Sequence, residues 1–97
     1  MKLLEILIIT SRHVETVSRT HDLKIRPEYF SAVSGGTKQF ELRRDDRGFC
    51  IGDVLLLREW NESGYSGRTV TCDVKYILRG HTGLDDDYII MGIALRP

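Results

Sequence analysis

The sequence predicts a small α+β protein that is mainly β, a barrel of short strands with one short helix packed across an opening. Three observations carry that expectation. Strand-like apolar stretches recur from His21 to the end of the chain, bounded by glycine, proline and aspartate clusters. Only one segment, "PEYFSAVSGG", carries both helix start and stop signals. The final stretch "YIIMGIAL" is apolar on both faces, so it needs enclosure, and a barrel supplies it by removing exposed edges.

The elements follow in order. Residues 1–20 combine an apolar run, "MKLLEILIIT", with a polar one and read as an N-terminal extension; the compact domain occupies 21–97. "HDLKI" alternates and predicts a strand from His21 to Ile25. Pro27 suits the first helical turn and Glu28 the positive end of the dipole, with Phe30 and Val33 facing inward and Gly35–Gly36 closing the helix. "KQFELR" is the next strand, its alternation putting Phe40 and Leu42 on the core face and Gln39, Glu41 and Arg43 opposite. "DDRG" is a turn. A strand is expected from Asp53 to Trp60, then a loop over "NESGYSG". "RTVTCDVKYIL" alternates cleanly, with Val70, Cys72, Val74, Tyr76 and Leu78 sharing a face. "GHTGLDDD" is a polar loop before the last strand.

Composition narrows the function. Fourteen basic and fourteen acidic residues cancel, so any polyanion site is a local patch with few phosphate contacts and a shallow salt dependence. Glu5 interrupts the N-terminal apolar run and no small-residue cleavage site follows, which argues against a signal peptide. No segment approaches the ~20 apolar residues of a membrane span, so the reading is a cytoplasmic protein with no membrane partner. The two cysteines, Cys50 and Cys72, form no CxxC pair and are read as reduced thiols. His13, His21 and His81 lie far apart with no second ligand at zinc spacing. No metal or other cofactor is expected. Fingerprints for phosphate loops, dinucleotides, nucleophile elbows and metalloproteases are all missing from the sequence.

What remains is the charge concentrated in "GGTKQFELRRDDR". One reading is a solvated strand edge laced with ion pairs, each worth a fraction of a kcal/mol. The other is a polar cleft in which Lys38, Glu41 and Arg43 meet a ligand. A ligand cleft would leave these charges only partly paired in its absence; a structural ladder would pair them fully. Arg43 to Arg47 could grip phosphate, although Asp45 and Asp46 fit better as turn residues paired with arginines. Tyr65, with Arg68 after it, could stack on a base or fold over the barrel end. A catalytic set would have to be assembled from Lys38, Glu41 and either Tyr65 or His21.

The stretches "HDLKIRPEYFSAVSGGTKQFELRRDDRGFCIGDVLLLREW" and "YSGRTVTCDVKYIL" resemble the ASCH superfamily of PUA-like domains, and within it a small phage-associated branch of unknown function. The resemblance runs from about His21 to Ala94. It includes the signature G-x-K-x-x-E-x-R as Gly36, Lys38, Glu41 and Arg43, with "IGD" at Ile51 to Asp53 and "YSGR" at Tyr65 to Arg68. It implies a PUA-like β-barrel with a polar cleft beside the helix, and an RNA-binding or RNA-associated module. Some relatives are enzymes: one group hydrolyses acylated cytidine derivatives, and ribonuclease activity occurs in another. In the former a lysine works with a threonine three residues on; here Lys38 matches the lysine and Glu41 stands at the threonine. A carboxylate cannot take the hydroxyl's nucleophilic role in the same way.

The expected function is thus binding, not catalysis: single-stranded RNA or a modified nucleotide held by His21, Lys24, Lys38, Glu41, Arg43, Arg47, Tyr65 and Arg68. Within that set Lys38, Arg43 and Arg47 would meet phosphates or base acceptors, Glu41 a base amino group, and Tyr65 a base face. The alternatives are a small amidohydrolase or ribonuclease using Lys38 and Glu41, and a phage-encoded adaptor using the apolar segment Leu3 to Ile9.

Overall fold

A computed structural model describes residues 17–97. The adaptor segment and most of the expected N-terminal extension lie outside the described residues. Five strands and one helix follow in the order β1 (Thr20–Ile25), α1 (Pro27–Ser34), β2 (Phe40–Arg44), β3 (Val54–Asn61), β4 (Gly64–Leu78) and β5 (Tyr88–Leu95). The strands form one sheet in the order β1-β3-β4-β5-β2. Only the β1–β3 pair is parallel; β3–β4, β4–β5 and β2–β5 are antiparallel. The fold is mainly β, with one helix set against a sheet curled into a half-barrel.

The concave side is apolar. Leu23 and Ile25 of β1, Leu55 and Leu57 of β3, Cys72 and Val74 of β4, and Ile89, Met91 and Ile93 of β5 are buried there. Phe30 and Val33, one turn apart on α1, close over them. Truncating a side chain as enclosed as Leu55 to alanine costs about 2–5 kcal/mol. The central position of β5, between β4 and β2, accounts for its continuous apolar run.

α1 ends as the sequence dictates. Thr37 N–H donates to Ala32 O and Gly36 N–H to Val33 O, and Gly36 takes φ 84°, a left-handed conformation that costs glycine little. Lys38 N–H also reaches Ala32 O, so the cap fixes the entry of the chain into β2.

Three expectations are corrected. The span read as a loop, 61–67, is mostly strand: β3 and β4 form a hairpin in which Asn61 pairs with Gly64 across a two-residue turn. The register shifts between Arg58 and Trp60, where Glu59 faces the span Ser66–Arg68. Its buried carboxylate accepts from Ser66 Oγ at 2.6 Å and from Arg68 Nε and Nη2 at 3.0 and 3.1 Å, filling the bulge. Second, a bulge between Val74 and Tyr76 breaks the phase of β4, turning Tyr76 out to solvent while Ile77 packs on the core. Third, β2 is inverted. Phe40 and Leu42 are 46% and 52% exposed, and Glu41 is 4% exposed. Glu41 pairs with Met91 and Arg43 with Ile89, so the charged residues share the concave face. Burial of a carboxylate there is offset by two cations, as described next.

Candidate functional site

The sheet edges β1 and β2 are joined by no ladder among the described residues. Arginines bridge them. Arg43 Nη2 donates to Lys24 O at 2.6 Å, and Arg47 Nη1 donates to Asp22 O at 3.0 Å. Both acceptors belong to the free edge of β1, where backbone carbonyls otherwise lack partners. Arg19, just before β1, donates through Nη2 to the carbonyls of Arg47 and Gly48.

Between the two edges lies a cleft of about 420 Å³. Lys24, Ile25 and Arg26 line it from the end of β1, and Tyr29 from the outer side of α1. Lys38, Phe40, Glu41, Leu42 and Arg43 line the opposite side. Glu41 is the floor. Oε1 accepts from Lys38 Nζ and Oε2 from Arg43 Nε, both at 2.9 Å. The Lys38 ammonium also donates to Phe40 O at 2.7 Å and lies 4.6 Å from the Phe40 ring centroid and 5.6 Å from that of Tyr29. Such contacts hold an ammonium against an aromatic face by electrostatic attraction to the ring.

The two readings of the charged stretch therefore merge. Glu41 is fully paired, as a structural ladder requires, yet its partners open onto a cleft. Two of three Lys38 N–H groups are engaged, and the Arg43 guanidinium uses Nε and Nη2. Among the described residues, one ammonium hydrogen of Lys38 and the Nη1 end of Arg43 have no acceptor and are open to a ligand's.

The other expected residues scatter. Lys24 lines the cleft and sits 4.6 Å above the Trp60 ring. His21 is buried away from it, with Nε2 at 2.8 Å from Asp53 Oδ2 and its ring against Phe49. Asp53 also accepts from the backbone N–H groups of Cys50 and Arg19. Burial pushes the Asp53 carboxyl up, but the His21 contact and the two backbone donors together hold it below the usual range. Arg47 serves the seam between the edges. Arg68 pairs with Glu59 and lies over Phe30. Tyr65 stands on the β3–β4 hairpin, with the Arg58 guanidinium 4.1 Å from its ring centroid. Asp45 meets Arg79 at 2.7 Å, a distant arginine instead of its neighbours.

Sequence reasoning missed Arg26, Tyr29 and Phe40. Tyr29 carried a signal: on α1 it falls outside the stripe of Phe30 and Val33 and is half-exposed, an aromatic that the core does not need.

A family model for a domain of unknown function, DUF3850, matches residues 20–93. The chain belongs to this family. The match spans every strand and the helix, from the first residue of β1 into β5. The DUF3850 chain is also similar to an uncharacterized 12.9 kDa protein in the GpA 3′ region of Escherichia phage P2, at 32% identity over 78 residues that cover 77% of this chain and 68% of the relative. A phage relative of unknown function fits the phage-associated branch that the stretches around "IGD" and "YSGR" resemble. No helix among the described residues is long and apolar enough to cross a membrane.

Proposed function

We propose that the cleft of this DUF3850 domain binds a nucleotide of RNA, or a modified nucleotide, with phosphate on its cations and base on its aromatics. The single observation that carries this reading is the lining. Among the described residues of the lining, Lys24, Arg26, Lys38 and Arg43 stand with Glu41 as the one acidic side chain, in a chain whose total charge is zero. A local excess of cations in a concave site favours an anionic ligand. Tyr29 and Phe40 offer flanking faces for a base, and Glu41 retains lone pairs for an exocyclic amino group. About 420 Å³ lies near the small end of ligand pockets, roughly 300–1,000 Å³, and suits one nucleotide unit, not a duplex. The resemblance of Gly36, Lys38, Glu41 and Arg43 to the ASCH signature supports the same ligand class.

Hydrolysis is the weaker reading. Among the described residues the lining contains no serine, threonine or cysteine, and the nearby Thr37 hydroxyl donates to Ala32 O. Glu41 would have to activate water while both of its oxygens accept from cations.

The test is a nuclear magnetic resonance titration with the four ribonucleoside 5′-monophosphates. Saturable shifts are expected at Lys24, Tyr29 and Phe40, and Lys24→Ala should weaken binding about tenfold, the worth of one charge-assisted hydrogen bond. Shifts scattered over the surface without saturation would refute the site.

A further inference from the structure

The cleft does not end at Arg26. Lys24 and Arg26 line it and also stand over the Trp60 ring, at 4.6 and 5.8 Å from its centroid. Trp60 is paired across the hairpin with Tyr65, which is 47% exposed and carries Arg58 on its face at 4.1 Å. Beside them is a second hollow of about 360 Å³, lined in part by Pro27, Trp60, Tyr65 and Ser66. Pro27 follows Arg26 directly in the chain, and the contact of Arg26, from the lining of the cleft, with Trp60, from the lining of the hollow, lies between the two. Aromatic faces and cations thus alternate from the cleft, across this contact, to the hairpin tip.

The pairing of these cations is weak. Arg26 meets Glu62 at 2.8 Å and Arg58 meets Asp22 at 3.5 Å, with all four side chains well exposed. Exposed ion pairs contribute little and exchange readily for a better anion. Lys24 has its ammonium over Trp60, and among the described residues it meets a ring and no carboxylate. A chain of phosphates at successive positions could replace Glu62 and Asp22, while the bases between them found Trp60 and Tyr65.

We propose that the ligand is a single-stranded polynucleotide that continues from the cleft along the β3–β4 hairpin, where Trp60 and Tyr65 stack successive bases and Arg26 and Arg58 take the intervening phosphates. This rests on the nucleotide reading of the cleft and names the form of its ligand as a strand, not a free nucleotide. Alternating stacking faces and cations are how proteins hold unpaired strands with little sequence preference.

The sequence has one tryptophan, so intrinsic fluorescence reports on Trp60 alone. Cytidine 5′-monophosphate and an octameric oligocytidylate, whose bases carry the exocyclic amino group that Glu41 would meet, are titrated against the full chain, with binding read by calorimetry and Trp60 emission in parallel. The octamer should bind at least about tenfold more tightly, from one added stacked base, and quench Trp60. Tyr65→Ala should lower octamer affinity about tenfold while leaving the monophosphate unaffected, and Tyr65→Phe should restore it. Equal affinity for octamer and monophosphate overturns the strand proposal and leaves the cleft reading standing. An octamer advantage that Tyr65→Ala does not reduce also overturns it, because length then acts through charge alone. Binding of neither ligand overturns both.

Discussion

The guanidinium of Arg43 donates to the carbonyl of Lys24 at 2.6 Å, tying together two sheet edges that no strand ladder joins among the described residues. The same side chain holds Glu41 through Nε at 2.9 Å. One residue therefore sets both the width of the cleft and the position of its floor. Lysine could supply the charge but has no planar fork to reach two acceptors at once.

Arg43→Lys should accordingly destabilise the fold by about 1–3 kcal/mol, the range for a lost hydrogen bond to a charged group. Urea denaturation gives the measurement, read as a lower midpoint with an unchanged slope. A midpoint equal to that of the wild type would show that the seam contributes nothing.

Glu41→Gln tests the floor. The amide leaves Lys38 and Arg43 without their counter-charge in a setting where those side chains are 17% and 25% exposed. Breaking a fully buried pair costs about 3–5 kcal/mol; partial exposure reduces this to about 1–3 kcal/mol. The melting temperature should fall, and nucleotide affinity should change with it because the two cations move. A variant that melts normally but loses ligand would mean that Glu41 serves recognition alone.

Much of this was legible in the sequence, and the failures share one cause. The helix was set by local chemistry: Pro27 opens it, Phe30 and Val33 give its buried stripe, and Gly36 closes it in a conformation suited to glycine. The β2 strand was equally visible, but its phase was not. Alternation distinguishes two faces without saying which is inward, and hydrophobicity chose Phe40 and Leu42. The deciding facts were Met91 and Ile89 on the neighbouring strand and the double neutralisation of Glu41. In the same way the bulges at Ser66–Arg68 and Lys75 depend on pairing across strands, so Tyr76, which alternation places on one face with Cys72 and Val74, lies in solvent. Lys38, Glu41 and Arg43 were found together because they are neighbours in sequence. Arg26 and Tyr29 reach the cleft from the β1–α1 junction and from α1, and only the curl of the sheet brings them there.

The carboxylates give a pH dependence of stability. The Arg79 hydrogen bond holds Asp45 below the usual range despite its burial, with the Phe49 N–H assisting. Asp53 is likewise lowered by the contacts described above. A carboxylate lowered in the folded state contributes stability that is complete above its unfolded pKa, about 4 for aspartate, and lost as pH falls through its lower folded value. Stability should therefore drop below about pH 4. Arg79→Gln should flatten that slope, read from melting temperatures between about pH 2 and 5, a window that brackets the ordinary aspartate value of about 4. An unaltered slope in Arg79→Gln would remove the assignment to Asp45.

The two thiols should differ sharply in reactivity. Cys72 is fully buried on β4, and burial, with the Glu41 and Asp73 charges adding to it, pushes its thiol up to about 11. The thiolate is the reactive form, so at pH 8 Cys72 is both protonated and shielded. Cys50 is exposed in the segment before β3. An aromatic disulfide reagent at pH 8 should therefore titrate one thiol in the native protein and both in denaturant, and Cys50→Ser should abolish the native reaction. Fast native labelling of Cys72 in that variant would mean that the sheet opens at β4 far more often than its enclosed core implies. Because Cys72 lies under Val33 and the helix cap, as part of a smaller hollow with Lys38 and Gln39, its labelling rate in Glu41→Gln becomes a local gauge. Loss of the Glu41 clamp should raise that rate in proportion to the population of the open form, linking the charge on the cleft floor to the closure of the core behind it.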